Sequence, residues 1–186
     1  MKSAQSSRGF TLLETLLVVV LIGIVALAAV PLLSSQNPTK LDVAAAEVGN
    51  ALRFALGEVE RNASCVWVDG SVSGHLQVWS GCTSSGWVVV SDPLTKRVLD
   101  IDTSGPAFSG QVSMAARFLV PLNSTPYPRL FIIGPVTQLQ LYVYDGATPT
   151  PNLKGPLGPG SGVVLSLGPQ SVTVAVNETT GLVTLP

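Results

Sequence analysis

A long uncharged stretch near the N-terminus constrains the fold of this chain more than any other feature. Between Thr15 and Thr39 no side chain is ionisable, and residues 10–30 would extend about 30 Å as a helix, at a rise of 1.5 Å per residue. That length is enough to cross the hydrocarbon core of a bilayer. The sequence therefore predicts a membrane-spanning helix, with a single carboxylate, Glu14, near its start.

Glu14 is the anomalous residue of this segment. A charged side chain in a membrane helix costs on the order of a few kcal/mol to insert, so such residues usually have a function and a partner. The basic residues Lys2 and Arg8 precede the span, and the positive-inside rule places that end in the cytoplasm and the bulk of the chain outside. An ordinary secretory signal would carry its cleavage site after the apolar run, where residues 28–31 offer only a weak small-residue pattern.

Residues 8–14, with the sequence RGFTLLE, resemble the prepilin signal of type IV pilins and type II secretion pseudopilins. In that family a short basic leader ends in Gly and is followed by Phe-Thr-Leu-Leu-Glu and a hydrophobic helix. The resemblance implies that a prepilin peptidase cleaves between Gly9 and Phe10 and that Phe10 is N-methylated. It also implies that Glu14 pairs with the N-terminal amine of an adjacent subunit and that Pro31 kinks the helix, since proline removes a backbone hydrogen bond.

The function that this resemblance implies is structural, with no enzymatic activity and no cofactor. The chain would be a minor pilin or pseudopilin that crosses the bacterial inner membrane once, with its C-terminal domain extracytoplasmic, and then enters a type II secretion pseudopilus or type IV pilus. Its partners would be other pilin or pseudopilin subunits, prepilin peptidase, an inner-membrane assembly platform and membrane lipid. Two alternatives stay open: a type IV pilus subunit, major or minor, for adhesion, motility or DNA uptake, and a membrane-tethered binding domain that never assembles.

The charge distribution gives no indication of nucleic-acid binding. The formal net charge is −1, and loss of Lys2 and Arg8 with the leader would leave 8 basic and 11 acidic residues, a net charge of −3. DNA-binding minor pilins of the resembling family carry a glycine followed by clustered arginines at the C-terminal end. Here residues 181–186 include no basic residue, and Lys154 is the last cation. Because phosphate binding needs several Lys or Arg side chains, direct nucleic-acid binding is not expected.

Beyond the span, the sequence changes from a helical to a strand pattern. Residues 34–39 are polar and interrupt the apolar run, either as a loosened turn or as a short linker. Residues 41–61 then place an apolar residue every three or four positions, which predicts an amphipathic helix. After Asn62 the period becomes two, in ten short runs separated by Gly, Pro, Asp and Ser, not all of which are expected to be sheet strands. The runs are 65–68, 75–79, 87–91, 97–101, 115–120, 129–133, 139–144, 163–167, 171–176 and 182–185.

This element order predicts an α+β fold. Successive strands without helices between them favour antiparallel pairing, so we expect a long N-terminal transmembrane spine helix packed on an antiparallel sheet or a two-sheet sandwich. The arrangement looks like that of the minor pseudopilin H and related minor pilins. The predicted organisation is a prepilin leader at 1–9, a transmembrane and assembly helix at 10–33, the soluble part of the spine at 34–61 and an extracytoplasmic β domain at 62–186.

Two cysteines follow the predicted span. Cys65 and Cys82 would lie in an oxidising compartment, which favours a disulfide. Their 16 intervening residues form a loop whose closure is worth about 3 kcal/mol in the chain-entropy model. A pair of buried free thiols is the alternative, and a metal site is not expected, because the sole histidine, His75, cannot complete a tetrahedral set.

The sequence at Asp100, Asp102 and Ser104 weakly resembles the start of a calcium-binding loop. These residues place oxygen atoms at alternate positions before a glycine in sixth position, but the twelfth position is Gln111 instead of a bidentate Glu. An ordinary Asp/Ser/Gly turn is the favoured interpretation.

For three other features of the sequence we expect a structural role. Trp67, Trp79 and Trp87 are expected to pack near the disulfide, with an exposed ligand platform as the alternative. The proline-rich residues 146–162 are predicted to lack regular structure and to form a surface loop, either a variable insertion or a partner contact. Residues 177–181 predict a hairpin loop in which Gly181 takes a positive φ.

Overall fold

The computed structural model describes residues 12–34, 36–62, 65–82, 86–92, 95–108, 110–134, 139–146 and 152–185. At the helical positions among residues 26–38 it describes the backbone alone. Over these ranges the fold is α+β, with two helices followed by twelve strands. The chain divides into two compact units, Met1–Asn37 and Pro38–Pro186. The second unit contains the sheets and is the β domain of the paragraphs below.

The helices α1 (Leu12–Ser34) and α2 (Gln36–Asn62) together cover most of the first third of the chain. The prediction that residues 34–39 interrupt the helix and that it resumes at Leu41 is wrong in part, because α2 already begins at Gln36. Pro38 is compatible with this start, since the first turn of a helix has no partner for its N–H groups and proline lacks one. The α1 helix continues through Pro31, and the kink there stays a prediction.

Helix α2 packs against the two sheets through the apolar stripe that the sequence predicts. The opposite face carries most of the exposed polar residues of the helix, among them Asp42, Glu47 and Glu60. Most of the stability of such a helix comes from packing its apolar face. The buried stripe residues are Leu41, Ala45, Val48, Leu52, Ala55 and Val59.

The first sheet has seven strands, all paired antiparallel. Its order is β3-β2-β1-β7-β8-β9, and β4 pairs with β2 outside this path. Its strands are β1 (Cys65–Asp69), β2 (His75–Ser80), β3 (Val88–Val89), β4 (Asp100–Asp102), β7 (Arg129–Ile133), β8 (Gln140–Tyr144) and β9 (Leu153–Pro156).

The second sheet has five strands in the order β12-β11-β10-β5-β6, also antiparallel throughout. One contiguous core joins α2 and both sheets, so the prediction of antiparallel sheets packed on the helix is confirmed. The strands are β5 (Ser113–Val120), β6 (Asn123–Tyr127), β10 (Gly162–Leu167), β11 (Gln170–Val176) and β12 (Val183–Thr184).

The two sheets meet at a corner held by a buried serine. The Ser161 hydroxyl accepts a hydrogen bond from the Leu119 N–H at 2.9 Å and donates one to the Gly158 carbonyl at 2.7 Å. Ser161 itself has no exposed surface. This pairing satisfies backbone groups that would otherwise be buried without partners where the chain leaves one sheet for the other.

Two predictions about strands are wrong. Each of the ten predicted runs contributes at least one strand, whereas we expected some to be loops. The segment 146–162 also holds a strand, β9, at the edge of the first sheet. An edge strand tolerates proline because one of its sides needs no partner, and here Pro156 is the last residue of the strand.

Candidate functional site

The N-terminal motif is the first candidate site, and the structure describes part of it. Gly9 and Phe10, the predicted cleavage and methylation residues, lie outside the described residues, as does the whole leader. Glu14 lies in the first turn of α1.

Where the side chains of α1 are described, at residues 12–25, its exposed surface is almost entirely apolar. Over residues 12–25 every side chain is exposed, and the large apolar ones occupy consecutive positions, so no polar face forms. Leu12 is 83% exposed, and Ile22 and Val25 are exposed by 63% and 66%. Searched over the part of the chain that the structure describes, no helix is both long and apolar enough to cross a membrane.

The second candidate site is the disulfide, and the structure confirms the predicted bond between Cys65 and Cys82. It joins the first residue of β1 to the segment just after β2. The backbone supports the same closure, because the Gly81 N–H donates to the Cys65 carbonyl at 2.9 Å. Both cysteines of the chain are therefore used, and no free thiol remains.

Aromatic side chains form a second core beside this disulfide. Side chains alternate between the faces of a strand, so Val66 and Val68 of β1 enter the main core while Cys65 and Trp67 belong to this separate cluster. Trp67 is only 4% exposed. Its ring stacks on Trp79 with centroids 5.2 Å apart and meets the edge-on rings of Trp87 and Tyr144 at 5.1 and 5.9 Å.

This aromatic cluster is a packed core, as the sequence predicts. Among the described residues, the indole N–H groups of Trp67, Trp79 and Trp87 have no hydrogen-bond partner, so packing and not hydrogen bonding holds the rings. The stacked and edge-on contacts cover the face of Trp67 that a ligand platform would need to present. Pairs of this kind contribute about 0.5–1.5 kcal/mol each beyond burial.

An ion pair borders the aromatic cluster. Arg129 Nε lies 3.1 Å from Asp69 Oδ1, and Arg129 Nη2 donates to the Ser71 hydroxyl at 2.9 Å. The guanidinium carbon lies 6.0 Å from the centre of the Tyr144 ring. Burial raises the pKa of the Tyr144 hydroxyl well above its usual range, and the Asp69 carboxylate raises it further. The tyrosine is therefore neutral at ordinary pH.

The segment that resembles a calcium-binding loop, residues 100–105, forms a hydrogen-bonded turn. Asp102 Oδ1 accepts hydrogen bonds from the backbone N–H and the hydroxyl of Ser104, and Asp100 Oδ2 accepts one from Gln77 Nε2 at 3.1 Å. Both carboxylates also face His75, whose ring nitrogens lie 3.4 Å from Asp100 Oδ1 and Asp102 Oδ1. Because these oxygens already have partners in the chain, the geometry favours a structural turn.

The same turn contains a carboxyl group with a shifted pKa. The hydrogen bond from the Ser104 hydroxyl holds the pKa of Asp102 below its ordinary value of 3.8, and the nearby His75 lowers it further. Over the described ranges, this turn included, no group of three or more His, Cys, Asp or Glu side chains is arranged to hold a metal ion.

The C-terminal hairpin is the third candidate site. Asn177 Oδ1 accepts hydrogen bonds from the N–H groups of Thr179 and Thr180, and Gly181 has a φ of +70°, as predicted. Arg53 of α2 donates to the Val183 carbonyl at 3.2 Å. Sequence patterns did not indicate this contact, because it joins residues 130 positions apart.

A groove of about 450 Å³ lies between this hairpin and α2. Its walls are mostly apolar, and α2 contributes two charged residues to them, Arg53 and Glu60. It is lined by Arg53, Leu56, Gly57, Glu60, Leu139, Thr180, Gly181, Leu182 and Val183.

Comparison with known protein families finds a match at the N-terminus. The prokaryotic N-terminal methylation motif matches residues 5–30, which supports the pilin and pseudopilin superfamily. The motif points to a structural subunit, and it implies processing by prepilin peptidase and assembly with other pilin subunits. No curated protein and no solved structure matches the chain.

Proposed function

We propose that this protein is a minor pilin or pseudopilin, a subunit of a type II secretion pseudopilus or a type IV pilus. The observation that carries the proposal is the methylation motif at residues 5–30, with a glutamate five positions after the predicted cleavage glycine. Prepilin peptidase removes residues 1–9 by cutting between Gly9 and Phe10, and Phe10 is then N-methylated. The resulting subunit remains in the inner membrane until assembly and then packs into a filament through its N-terminal helix.

The exposed apolar surface of α1 supports insertion and assembly. A helix that is apolar on all sides is stable in a large core, in a membrane or among other helices, and large apolar side chains such as Leu16 and Val19 are more than half exposed in this chain. Residues 10–33 would meet lipid before assembly and neighbouring subunits afterwards. The same surface thus serves both stages, with only the partner changing.

Glu14 directs the assembly step in this proposal. Cleavage leaves a cationic amine at Phe10 beside an apolar helix, and an unpaired charge in lipid is costly. The Glu14 carboxylate of an adjacent subunit neutralises that amine, which converts two unfavourable charges into one pair and fixes the axial stagger between subunits. This role requires a neighbour, so it favours an assembling subunit over a tethered binding domain.

The disulfide supports an extracytoplasmic β domain. Structural disulfides persist in oxidising compartments and are rare in the cytosol, and the Cys65–Cys82 bond lies in the β domain. Lys2 and Arg8 hold the opposite end of the chain on the cytoplasmic side. Helix α2 against two antiparallel sheets is also the arrangement expected of proteins resembling the minor pseudopilin H.

Replacing Glu14 with Ala tests the proposal. Because the substitution removes the carboxylate that pairs with a neighbour, we expect Glu14→Ala to be processed and membrane-inserted as before while its incorporation into sheared filaments falls at least tenfold. Glu47→Ala, at an exposed position of α2, is the matched control and should assemble normally. Normal incorporation of Glu14→Ala would contradict the pairing role of Glu14, whereas absence of the wild-type chain itself from sheared filaments would support a tethered domain that never assembles.

A further inference from the structure

Three segments of the chain match the acceptor motif for N-linked glycosylation. The motif is Asn-x-Ser/Thr, where x is not proline, and in exported proteins it marks surface loops. Half of the six asparagines of the chain begin such a segment. The segments are Asn62-Ala63-Ser64, Asn123-Ser124-Thr125 and Asn177-Glu178-Thr179. Motifs this short also arise by chance, so their placement in the fold decides whether they are sites.

The second and third segments lie on exposed turns of the β domain. Every residue of 123–125 and 177–179 is exposed. Asn123 is the first residue of β6, after the short turn that follows β5, and Asn177 directly follows β11. Both asparagines are therefore accessible in the folded domain.

The two asparagine side chains share one geometry. Asn123 Oδ1 accepts a hydrogen bond from the Thr125 N–H at 2.9 Å, and Asn177 Oδ1 accepts one from the Thr179 N–H at 3.0 Å. Each bond is a local turn that joins the asparagine to the third residue of its motif. Donation to Oδ1 draws electron density away from Nδ2 and makes the Nδ2 protons more acidic. The motif is thus folded back toward the nitrogen that a glycan would join.

The strand order brings these two turns to one end of the second sheet. Both β5 and β11 are antiparallel to β10, so they run in the same direction. Near that end, Arg117 of β5 and Ala175 of β11 both pair with Gly162, the first residue of β10. Asn123 and Asn177 come just after these strands, so both lie at this end of the sheet.

The last part of α2 lies at the same end. A Cβ added at Gly181, in the hairpin loop that starts at Asn177, would lie 3.0 Å from Leu56 Cδ2. Leu56 belongs to the last turns of α2, and the helix ends at Asn62, which begins the remaining motif. Motifs that arose by chance would be scattered over the domain. Here all three begin at the end of the domain where α2 terminates.

We propose that Asn177 and Asn123 are N-glycosylated. The donor is a polyprenyl-pyrophosphate-linked oligosaccharide, and a membrane oligosaccharyltransferase carries out the transfer. The bond between Nδ2 and C1 of the first sugar forms as the bond between C1 and the pyrophosphate oxygen breaks. The pyrophosphate leaves with the bonding electrons, and Nδ2 gives up one proton to a base of the transferase.

This modification goes beyond the proposed function and rests on it only for the extracytoplasmic position of the β domain. Asparagine-linked glycans are bulky and solubilising. An exposed leucine accompanies each site: Leu122 precedes Asn123 and is 109% exposed, and Leu182, which follows the hairpin loop, is 63% exposed. Glycans at both sites would keep this end of the domain hydrated, so contacts with other subunits would fall on its other surfaces.

Mass spectrometry of peptides from the full chain, purified from the cells that encode it, tests the proposal. Peptides that contain Asn177 or Asn123 should show a series of masses spaced by sugar residues, with fragment ions that place the sugar on the asparagine. Peptides that contain Asn50, an exposed asparagine of α2 outside the motif, should be unmodified. Unmodified peptides alone at both sites would overturn the inference.

The variant Asn177→Asp separates an N-linked glycan from an O-linked one. It keeps the Oδ1 acceptor, and with it the turn, but removes Nδ2. We therefore expect the chain to fold as before and to lose all sugar from residues 177–180, while Asn50→Gln keeps it. Sugar that persists on these residues in Asn177→Asp would be attached to a hydroxyl group, which would contradict the assignment.

Substitutions of Thr179 test whether the motif itself is recognised. Thr179→Ala removes the hydroxyl that the motif requires but leaves Asn177 in place, so modification of Asn177 should fall at least tenfold. Thr179→Ser retains the motif and should keep most of the modification. Equal modification of Asn177 in these two variants would count against N-linked transfer.

The mature N-terminus separates failure of this inference from failure of the proposed function. A chain that begins at Phe10 but carries no sugar at either asparagine would overturn the glycosylation alone. A chain that still begins at Met1 but carries sugar on Asn177 would contradict the proposed function and leave the glycosylation standing.

Discussion

At the scale of single residues, the contact between Gly134 and α2 is among the tightest in the β domain. A Cβ added at Gly134 would overlap Val59 Cγ1 and would lie 3.1 Å from the Val59 carbonyl oxygen. Val59 is fully buried, so it cannot move aside. We predict that Gly134→Ala destabilises the full chain by about 1–3 kcal/mol, the usual effect of overpacking, as measured by thermal unfolding in detergent micelles.

Gly57 provides the matched control for that measurement. It is also a glycine of the packed region, but a Cβ there meets nothing within 4 Å, and its position in the interior of α2 favours alanine by roughly 0.5–1 kcal/mol. Gly57→Ala should therefore stabilise the chain. Equal effects of the two substitutions would show that the contact between Gly134 and Val59 does not limit packing.

A second residue-scale prediction concerns the pH dependence of the turn at Asp102. Its lowered pKa means that the carboxylate is favoured in the folded state, so its contribution to stability is present above pH 3.8 and is lost as the pH falls through the lower folded value. Ser104→Ala removes the largest cause of the shift and should move the Asp102 midpoint upward in an NMR titration. Ser171→Ala, an exposed serine on β11, should leave it in place, and an unchanged midpoint in Ser104→Ala would contradict the assignment.

Single residues were predictable where their chemistry is local. The cysteine pair followed from spacing and compartment, and the turn at Gly181 followed from its neighbours. The oxygens of Asp100 and Asp102 were recognised as a turn with a weaker calcium alternative, and their hydrogen bonds now explain the pattern.

At the scale of secondary-structure elements, the disulfide loop positions the aromatic cluster. Cys65–Cys82 closes the segment that begins with β1 and ends after β2, and Trp87 then packs against Trp67 from just beyond it. We predict that Cys65→Ser/Cys82→Ser destabilises the chain by about 3 kcal/mol and changes the tryptophan fluorescence. A reductant should change the wild-type spectrum in the same way and leave the variant unaffected. Identical spectra before and after reduction would mean that the aromatic packing is independent of the bond.

The elements missed by sequence analysis share a physical cause. Strand β6 has exposed polar residues and Pro126, and β9 contains Gly155 and Pro156, so neither shows an alternating apolar pattern. Both are edge strands, which are held by backbone hydrogen bonds on one side and bury little. The central strands and α2 were predicted well because burial on one face imposes a period on their sequence.

At the scale of the whole molecule, the two units have different roles. The first unit carries the methylation motif and an apolar helix, which in our proposal anchors the subunit and then packs into the filament. The second unit buries α2 against two sheets. In our proposal, the surface of this unit contacts other subunits. The groove between α2 and the C-terminal hairpin depends on strand order, which local patterns do not determine.

The central claim is that the chain is a prepilin, and its mature N-terminus tests this most directly. The full chain should be expressed with a prepilin peptidase, and its N-terminal peptide should be analysed by mass spectrometry. The account predicts a chain that begins at Phe10 with one added methyl group on the amine, and no processing when Gly9 is replaced by Val. An N-terminus still at Met1, or one created after the apolar run near Ala29, would contradict it.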